Sequence, residues 1–318
     1  NRMITRRLLC IVTRSDHIST MGRAAIAMGR SVATTSSVDS FDPSKNPTLA
    51  RILQDAKLPS YAEGEHFRVV TLVSGSKRQD LPIFTSVPGA IVLDEEAERK
   101  PTSRVEADGV PGGFVIRDIL SPGECDQLVK LSETMGFTED APVSLARNIR
   151  HNENCMWLAD PILCDTLFER CKPHFPPEAE GGEVCGLNAY WRLYKYNPED
   201  IFSLHTDGSW PGSGLTADGN GIVRDMYGDR WSQLTIIFYL NDEFDGGPTR
   251  FFFPLDRKGR EHRVEEVRAE RGGAVCFFHG EHPLSLLHEG GLVEKGTKYI
   301  VRSDVLYKLP GRGLDPKL

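Results

Sequence analysis

Two histidines and an aspartate stand where they could hold a metal ion. His205, Thr206 and Asp207 form a His-X-Asp tripeptide. On an extended backbone, side chains alternate with a period of two, so His205 and Asp207 would share one face and could chelate one ion from one side. A third donor could come from His279, His282 or His288, which all lie near the end of an apolar run. Two imidazoles and one carboxylate are a donor set that binds ferrous iron on one face and leaves the other positions open for oxygen chemistry. Lys298, ten residues after His288, offers a cation to an acidic cosubstrate. A lone His-X-Asp arises by chance in many chains, so the tripeptide needs its surroundings before it means anything.

The surroundings are predominantly β. Leu187–Tyr196 (LNAYWRLYKY) is aromatic-rich and Leu234–Leu240 (LTIIFYL) is almost continuously apolar. Arg250–Phe253, Gly273–Phe278 and Lys298–Tyr307 follow, with turns between them. Several short strands with turn punctuation predict a sandwich or jelly roll. Upstream, Gly113–Leu120 reads as a strand. Ser121, Pro122 and Glu124 then form a helix start, because the serine can accept from the backbone three residues on and the glutamate can reach back. Asp160-Pro161 opens a second helix, with Ile162, Leu163, Leu167 and Phe168 expected on its buried side. Further upstream, 49–57 reads as a short helix. FRVVTLV and GAIVL, between residues 66 and 94, read as strands split by GSKRQDLP.

With these residues in view, two segments resemble a known family. Leu234–Phe253 (LTIIFYLNDEFDGGPTRFFF) and His288–Tyr307 (HEGGLVEKGTKYIVRSDVLY) are similar to the catalytic core of the prolyl 4-hydroxylase-like iron(II)/2-oxoglutarate dioxygenases. That family has His-X-Asp, then a YLN block with a Gly-Gly and a Thr, then a histidine followed by Gly, Val, Gly and Lys-Tyr or Lys-Trp. This chain matches in order and nearly in spacing, over roughly residues 113–308. The resemblance implies a double-stranded β-helix (jelly roll), mainly β, with flanking helices. It implies that His205, Asp207 and His288 bind Fe(II), that Lys298 pairs with the distal carboxylate of 2-oxoglutarate, and that Tyr196 lines the cosubstrate pocket. Tyr239 matches a position where some members place a hydroxyl on that carboxylate. Ascorbate is the implied reductant, and hydroxylation of an unactivated C–H the implied reaction.

The residues leave alternatives beside the resemblance. Period two puts Lys298, Ile300 and Arg302 on one face of their strand, so Arg302 is a second candidate for the anion, or a substrate contact. Its planar fork suits a carboxylate better than an ammonium does. A buried lysine is costly unless paired, and 2-oxoglutarate would supply the pair. Arg192 and Tyr194 share the face of Tyr196 and could line the cavity or simply pack. The Gly-rich stretch 208–228 reads as a mobile loop beside the metal, a candidate lid, or as a plain insertion. Asp242, Glu243 and Asp245 read as a solvated turn, with Gly246 and Gly247 supplying its backbone freedom. His279 and His282 read as structural, or as residues near the pocket mouth. Asp207 argues against halogenation, since a halide-binding relative would lack this carboxylate. A zinc hydrolase on the same ligands and a non-catalytic jelly-roll binding protein are the other classes. An intact triad plus Lys298 weighs against the latter.

Composition bounds the partners. The net charge of −7 over 318 residues argues against a general nucleic-acid binder, which needs clustered cations. No apolar run reaches the ~18 residues that span a bilayer. Seven cysteines, none in a CxxC pair, read as mostly reduced thiols, with one disulfide open among Cys155, Cys164, Cys171 and Cys185. Residues 1–38 carry six arginines against one acid, Asp16, with frequent Ser and Thr. That composition fits an organelle transit segment or a disordered basic tail, so the expected location is cytoplasmic or organellar. The expected organisation is a disordered or targeting segment (1–45), a variable extension (46–112) and the jelly-roll domain (113–318). The substrate expected from the resemblance is a prolyl residue of a protein or peptide, with a small molecule as the rival. No secretion signal or peptide-binding domain is recognisable in the first 110 residues, and the loop after Asp207 is long. Both weigh against a collagen-like substrate. Oligomeric state is not legible.

Overall fold

The computed structural model describes residues 43–77, 79–141, 149–256, 261–268, 270–309 and 311. The expected targeting segment lies almost wholly outside them. The architecture has three layers: helices, an eleven-stranded sheet and a five-stranded sheet.

The large sheet is built around the strand Lys298–Lys308. On one side this strand pairs antiparallel with Arg230–Tyr239, and on the other with Tyr190–Tyr196. Ala274–Phe278 continues the sheet beyond Arg230–Tyr239, and Phe114–Arg117 beyond that. On the opposite side Glu153–Leu158 follows Tyr190–Tyr196, and then come Asp80–Ser86 and Phe67–Ser74. The small sheet runs His262–Val267, Thr249–Pro254, His288–Gly290, Ile201–His205, Arg150–His151.

Alternation along the central strands sorts side chains between two cores. Tyr299, Val301, Val305 and Tyr307 face a core shared with the helices, where Trp157 and Trp191 meet edge-on at 5.5 Å. The intervening Ile300 faces a second core between the sheets, with Tyr194, Tyr196, Ile237, Tyr239, Phe251 and Phe277. Both faces of the central strands are thus buried. This accounts for an apolar run such as LTIIFYL showing no polar alternation.

Three helices cover the far face: α1 (Pro47–Gln54), α2 (Pro122–Met135) and α3 (Pro161–Cys171). The predicted capping box of α2 is present, with Ser121 Oγ accepting from the Glu124 amide and Glu124 accepting from the Ser121 amide. α3 starts at the predicted cap, Asp160. Its buried stripe is Leu163, Cys164, Leu167, Phe168 and Cys171, spaced one helical face apart. Ile162 lies off that stripe and is 53% exposed, contrary to expectation.

The segment GAIVL corrects a second expectation. Residues 89–93 are loop, and the strand is Asp80–Ser86. Val92 exchanges both backbone hydrogen bonds with the Gln127 side chain of α2. Its polar groups are satisfied by a helix rather than by a ladder, while Ala90 and Ile91 plug the core. The acidic turn is solvated as expected, with Asp242, Glu243 and Asp245 all exposed, and Glu243 in addition accepts from Thr48 and Arg51 and ties α1 to the sheet. Gly246 and Gly247 have φ of +75° and +60°, the left-handed region their turn requires. Cys125, Cys155, Cys164, Cys171, Cys185 and Cys276 are all free, and no disulfide joins the described residues. No helix among the described residues is long and apolar enough to cross a membrane.

Candidate metal centre

The small sheet brings the two distant histidines together. His205 ends the strand Ile201–His205 and is the direct antiparallel partner of His288, the first residue of His288–Gly290. Their rings lie 4.2 Å apart, centroid to centroid. Asp207 falls just past the strand end, so strand alternation does not hold it as expected. It is held by a bond from Thr235 Oγ1 to its Oδ2 (2.7 Å) and by Gly280 N–H to its carbonyl (2.9 Å). One donor atom from each of His205, Asp207 and His288 lies within 4.8 Å of the others.

The donors suit a cation. His205 Nδ1 lies 2.8 Å from Ser203 O and His288 Nδ1 3.0 Å from Leu286 O. A carbonyl only accepts, so each Nδ1 carries the proton and each Nε2 offers a lone pair inward. The two Nε2 atoms stand 3.8 and 3.7 Å from the Asp207 carboxylate oxygens. An ion ~2.1 Å from each donor tolerates separations up to about 4.2 Å, so the spacing fits. Burial, helped by the neighbouring His288, pushes His205 down to about 3, and burial lowers His288 as well. Burial opposes ionisation of Asp207. Arg302, the two imidazoles and Thr235 overcome it and hold the carboxyl well below its ordinary range. At neutral pH the cluster therefore presents two neutral imidazoles and one carboxylate. Phe202 stacks on His205 at 3.7 Å and Phe277 meets His288 at 4.6 Å, which gives the cluster apolar walls.

Lys298 begins the central strand of the large sheet and is 3% exposed. Its Nζ donates to Gly247 O at 2.7 Å. Around it stand the rings of Tyr196, Tyr239 and Phe244, at 5.5, 5.6 and 6.0 Å. Among the described residues no carboxylate pairs with it. Burial lowers its pKa to about 8. Tyr239 shares a 2.8 Å hydroxyl–hydroxyl bond with Thr249. Arg302 stands apart from this cage, with Nη2 3.5 Å from Asp207 Oδ1 and 3.1 Å from Asp304 Oδ1.

A relay behind Asp207 was not foreseen. His279 is buried, its Nε2 2.9 Å from Ser232 Oγ and its Nδ1 2.9 Å from Thr235 Oγ1. Thr235 then donates to Asp207. His279 is thus neither at the pocket mouth nor isolated in the core, since it steadies the carboxylate through Thr235. The available signal was Thr235 itself, a lone hydroxyl inside LTIIFYL. His282 stacks on Phe278 at 3.9 Å, away from the cluster. The stretch 208–228 is folded back on itself, with Gly214–Leu215 paired to Ile222–Val223 and Pro211 bridging Trp231.

Fold and site together define a jelly roll carrying a two-histidine, one-carboxylate cluster beside a caged lysine. No family model matches the chain. It is similar to a mimiviral protein (Acanthamoeba polyphaga mimivirus) named "Putative prolyl 4-hydroxylase", with 23% identity over 197 residues, 59% of this chain and 71% of that protein. Similar solved structures include the collagen prolyl hydroxylase of Paramecium Bursaria Chlorella virus-1 bound to 2-oxoglutarate (16% identity, TM-score 0.40, 66% of this chain and 97% of that one). Another is a Trichoplax adhaerens prolyl hydroxylase in complex with a hypoxia-inducible-factor peptide (17% identity, TM-score 0.41, 61% and 83%). The resemblance read from the sequence thus recurs in the curated relative.

Proposed function

We propose that the chain is an Fe(II)- and 2-oxoglutarate-dependent dioxygenase that hydroxylates an unactivated C–H, with a prolyl residue of a protein or peptide as the favoured substrate. The observation that carries this reading is the convergence of His205, Asp207 and His288 beside a buried lysine with no carboxylate partner. Ferrous iron in that triad would supply the oxygen chemistry, coupling oxidative decarboxylation of 2-oxoglutarate to hydroxylation.

The chain's own residues do the rest. His205, Asp207 and His288 would hold the ion through two imidazole Nε2 atoms and one carboxylate. Lys298 pairs with the distal carboxylate of 2-oxoglutarate, and Tyr196 and Tyr239 wall that pocket. Arg302 is the lesser candidate for this anchor, because it sits on Asp207 and Asp304 rather than in the lysine's cage. Phe202, Phe251 and Phe277 keep water off the imidazoles. Ascorbate would keep the metal reduced. The prolyl assignment leans on the name of the mimiviral relative. It is tested by incubating proline-containing peptides with Fe(II), 2-oxoglutarate and ascorbate and measuring mass. A gain of one oxygen on proline, blocked by a 2-oxoglutarate analogue, is expected. Peptides that stay unmodified while small molecules gain oxygen would overturn the prolyl assignment. Activity sustained by Zn(II) alone would overturn the oxygenase.

A further inference from the structure

Where Arg302 meets Asp207, three arginines line a small cleft of about 30 Å³ that opens to solvent. They are Arg192, Arg224 and Arg302, and Tyr190, Trp210 and Asp304 are among the other lining residues. The arrangement is electrostatically expensive. Arg192 and Arg302 are direct antiparallel partners across adjacent strands of the large sheet. Like charges placed directly opposite destabilise a strand pair. Among the described residues, neither Arg192 nor Arg224 has a carboxylate partner. Arg302 is 6% exposed, its Nε has no hydrogen-bond partner, and Asp304 Oδ1 meets its Nη2 without hydrogen-bond geometry. The same field reaches Tyr194. Burial alone would raise its phenol, yet Arg150, Arg192 and Arg302 bring it below its ordinary value.

The cleft is separate from the lysine cage. Lys298 and Arg302 lie four residues apart on one face of one strand, which is about 13 Å of backbone. 2-Oxoglutarate anchored at Lys298 leaves the arginine cleft free. Asp304 is the acid that lines the cleft, and Asp207 beside it also pairs with Arg302. Arg192 also lies 5.8 Å from the rings of both Tyr190 and Trp210, so flat aromatic surface flanks the charge.

We propose that this cleft is a specificity site that takes a carboxylate of the substrate, so that the carbon to be oxidised is presented beside an acidic group. The proposal rests on the dioxygenase reading for the reaction, but not for the binding. The carboxylate can belong to an acidic side chain next to the target proline or to a small free acid, and one experiment separates the two sources. The full chain is titrated by calorimetry with a proline pentapeptide flanked by glutamates and with its glutamine counterpart. The titration is repeated with N-acetylproline and N-acetylprolinamide.

Within at least one pair, the charged probe is expected to bind about tenfold tighter than its neutral match. Arg192→Gln and Arg224→Gln are each expected to reduce that preference severalfold. Preference in the peptide pair assigns the acidic peptide; preference in the acetylproline pair alone assigns the small acid. Equal or absent binding of charged and neutral probes in both pairs overturns the proposal. So does a double variant that keeps the full preference. The ligand-side comparison is made on the native chain, so variant folding does not limit it. Failure of the dioxygenase reading shows separately, as absent 2-oxoglutarate turnover in the native chain.

Discussion

Two buried cations on opposite faces of the large sheet, Arg170 and Lys298, are handled in opposite ways. On the helical face, Arg170 of α3 is fully matched. Its two Nη atoms donate to both oxygens of Glu124 at 2.9 Å and to the carbonyls of Ile119 and Asp94 at 3.0 Å. Glu124 in turn caps α2 and accepts from Asp94 N–H. On the inter-sheet face, Lys298 has one carbonyl, Arg302 meets Asp207 and Asp304 but has an unpaired Nε, and the half-buried Arg192 has aromatic rings but no acid. The first arrangement closes on itself and fixes helices to the sheet. The second leaves hydrogen-bonding capacity unspent. The closed pair serves the fold, whereas the open capacity at Lys298 fits the proposed cosubstrate site.

The contrast is broken most severely at Glu124. Glu124→Ala strands Arg170 in the core and is expected to cost about 3–5 kcal/mol, read by denaturant unfolding. If the loss were under 1 kcal/mol, the pair would not organise the helical face.

Lys298→Met is expected to act in the other direction. Removing an uncompensated ammonium should raise stability by about 2 kcal/mol at neutral pH, while 2-oxoglutarate affinity falls at least about a hundredfold. A destabilised variant with intact cosubstrate binding would make Lys298 a structural residue. The pH dependence sharpens the point. The folded-state lysine sits near 8 against an ordinary 10.5, so between those values the folded chain binds fewer protons than the unfolded one. Stability should therefore rise with pH across that window, and the full burial cost should be present below it. Bound 2-oxoglutarate reverses this by favouring the ammonium. Cosubstrate affinity should be constant below about pH 8 and fall above it, by up to tenfold per unit. Affinity flat to pH 10 would remove Lys298 from the anchor.

Thr235→Val tests the relay with a smaller change. It disconnects His279 from Asp207, and metal affinity should weaken about 10- to 100-fold with the fold intact. Glu243→Gln, at a partly exposed tie between α1 and the sheet, should cost no more than about 1 kcal/mol.

The parts legible in the sequence are those carried by neighbours along the chain. Ser121 and Glu124 reveal a helix start because capping is local, and His205-Thr206-Asp207 and the His288-to-Lys298 segment are linear signatures. What stayed hidden depends on which strand lies beside which. Nothing near Arg192 in the chain says that Arg302 will stand opposite it. Thr235 gains its role from His279, just past the end of the neighbouring strand, and from Asp207 in a distant loop. GAIVL misled because its backbone is satisfied by Gln127, a residue of α2.

Everything turns on whether the triad and Lys298 work as one site. Succinate release from 2-oxoglutarate should be measured for the native chain, His205→Ala and Lys298→Met, with Fe(II) and ascorbate under air. Iron-dependent succinate from the native chain, abolished in His205→Ala and restored toward native rates in Lys298→Met only at high 2-oxoglutarate, is expected. Native chain that releases no succinate with iron, or succinate formation indifferent to His205→Ala, would contradict it.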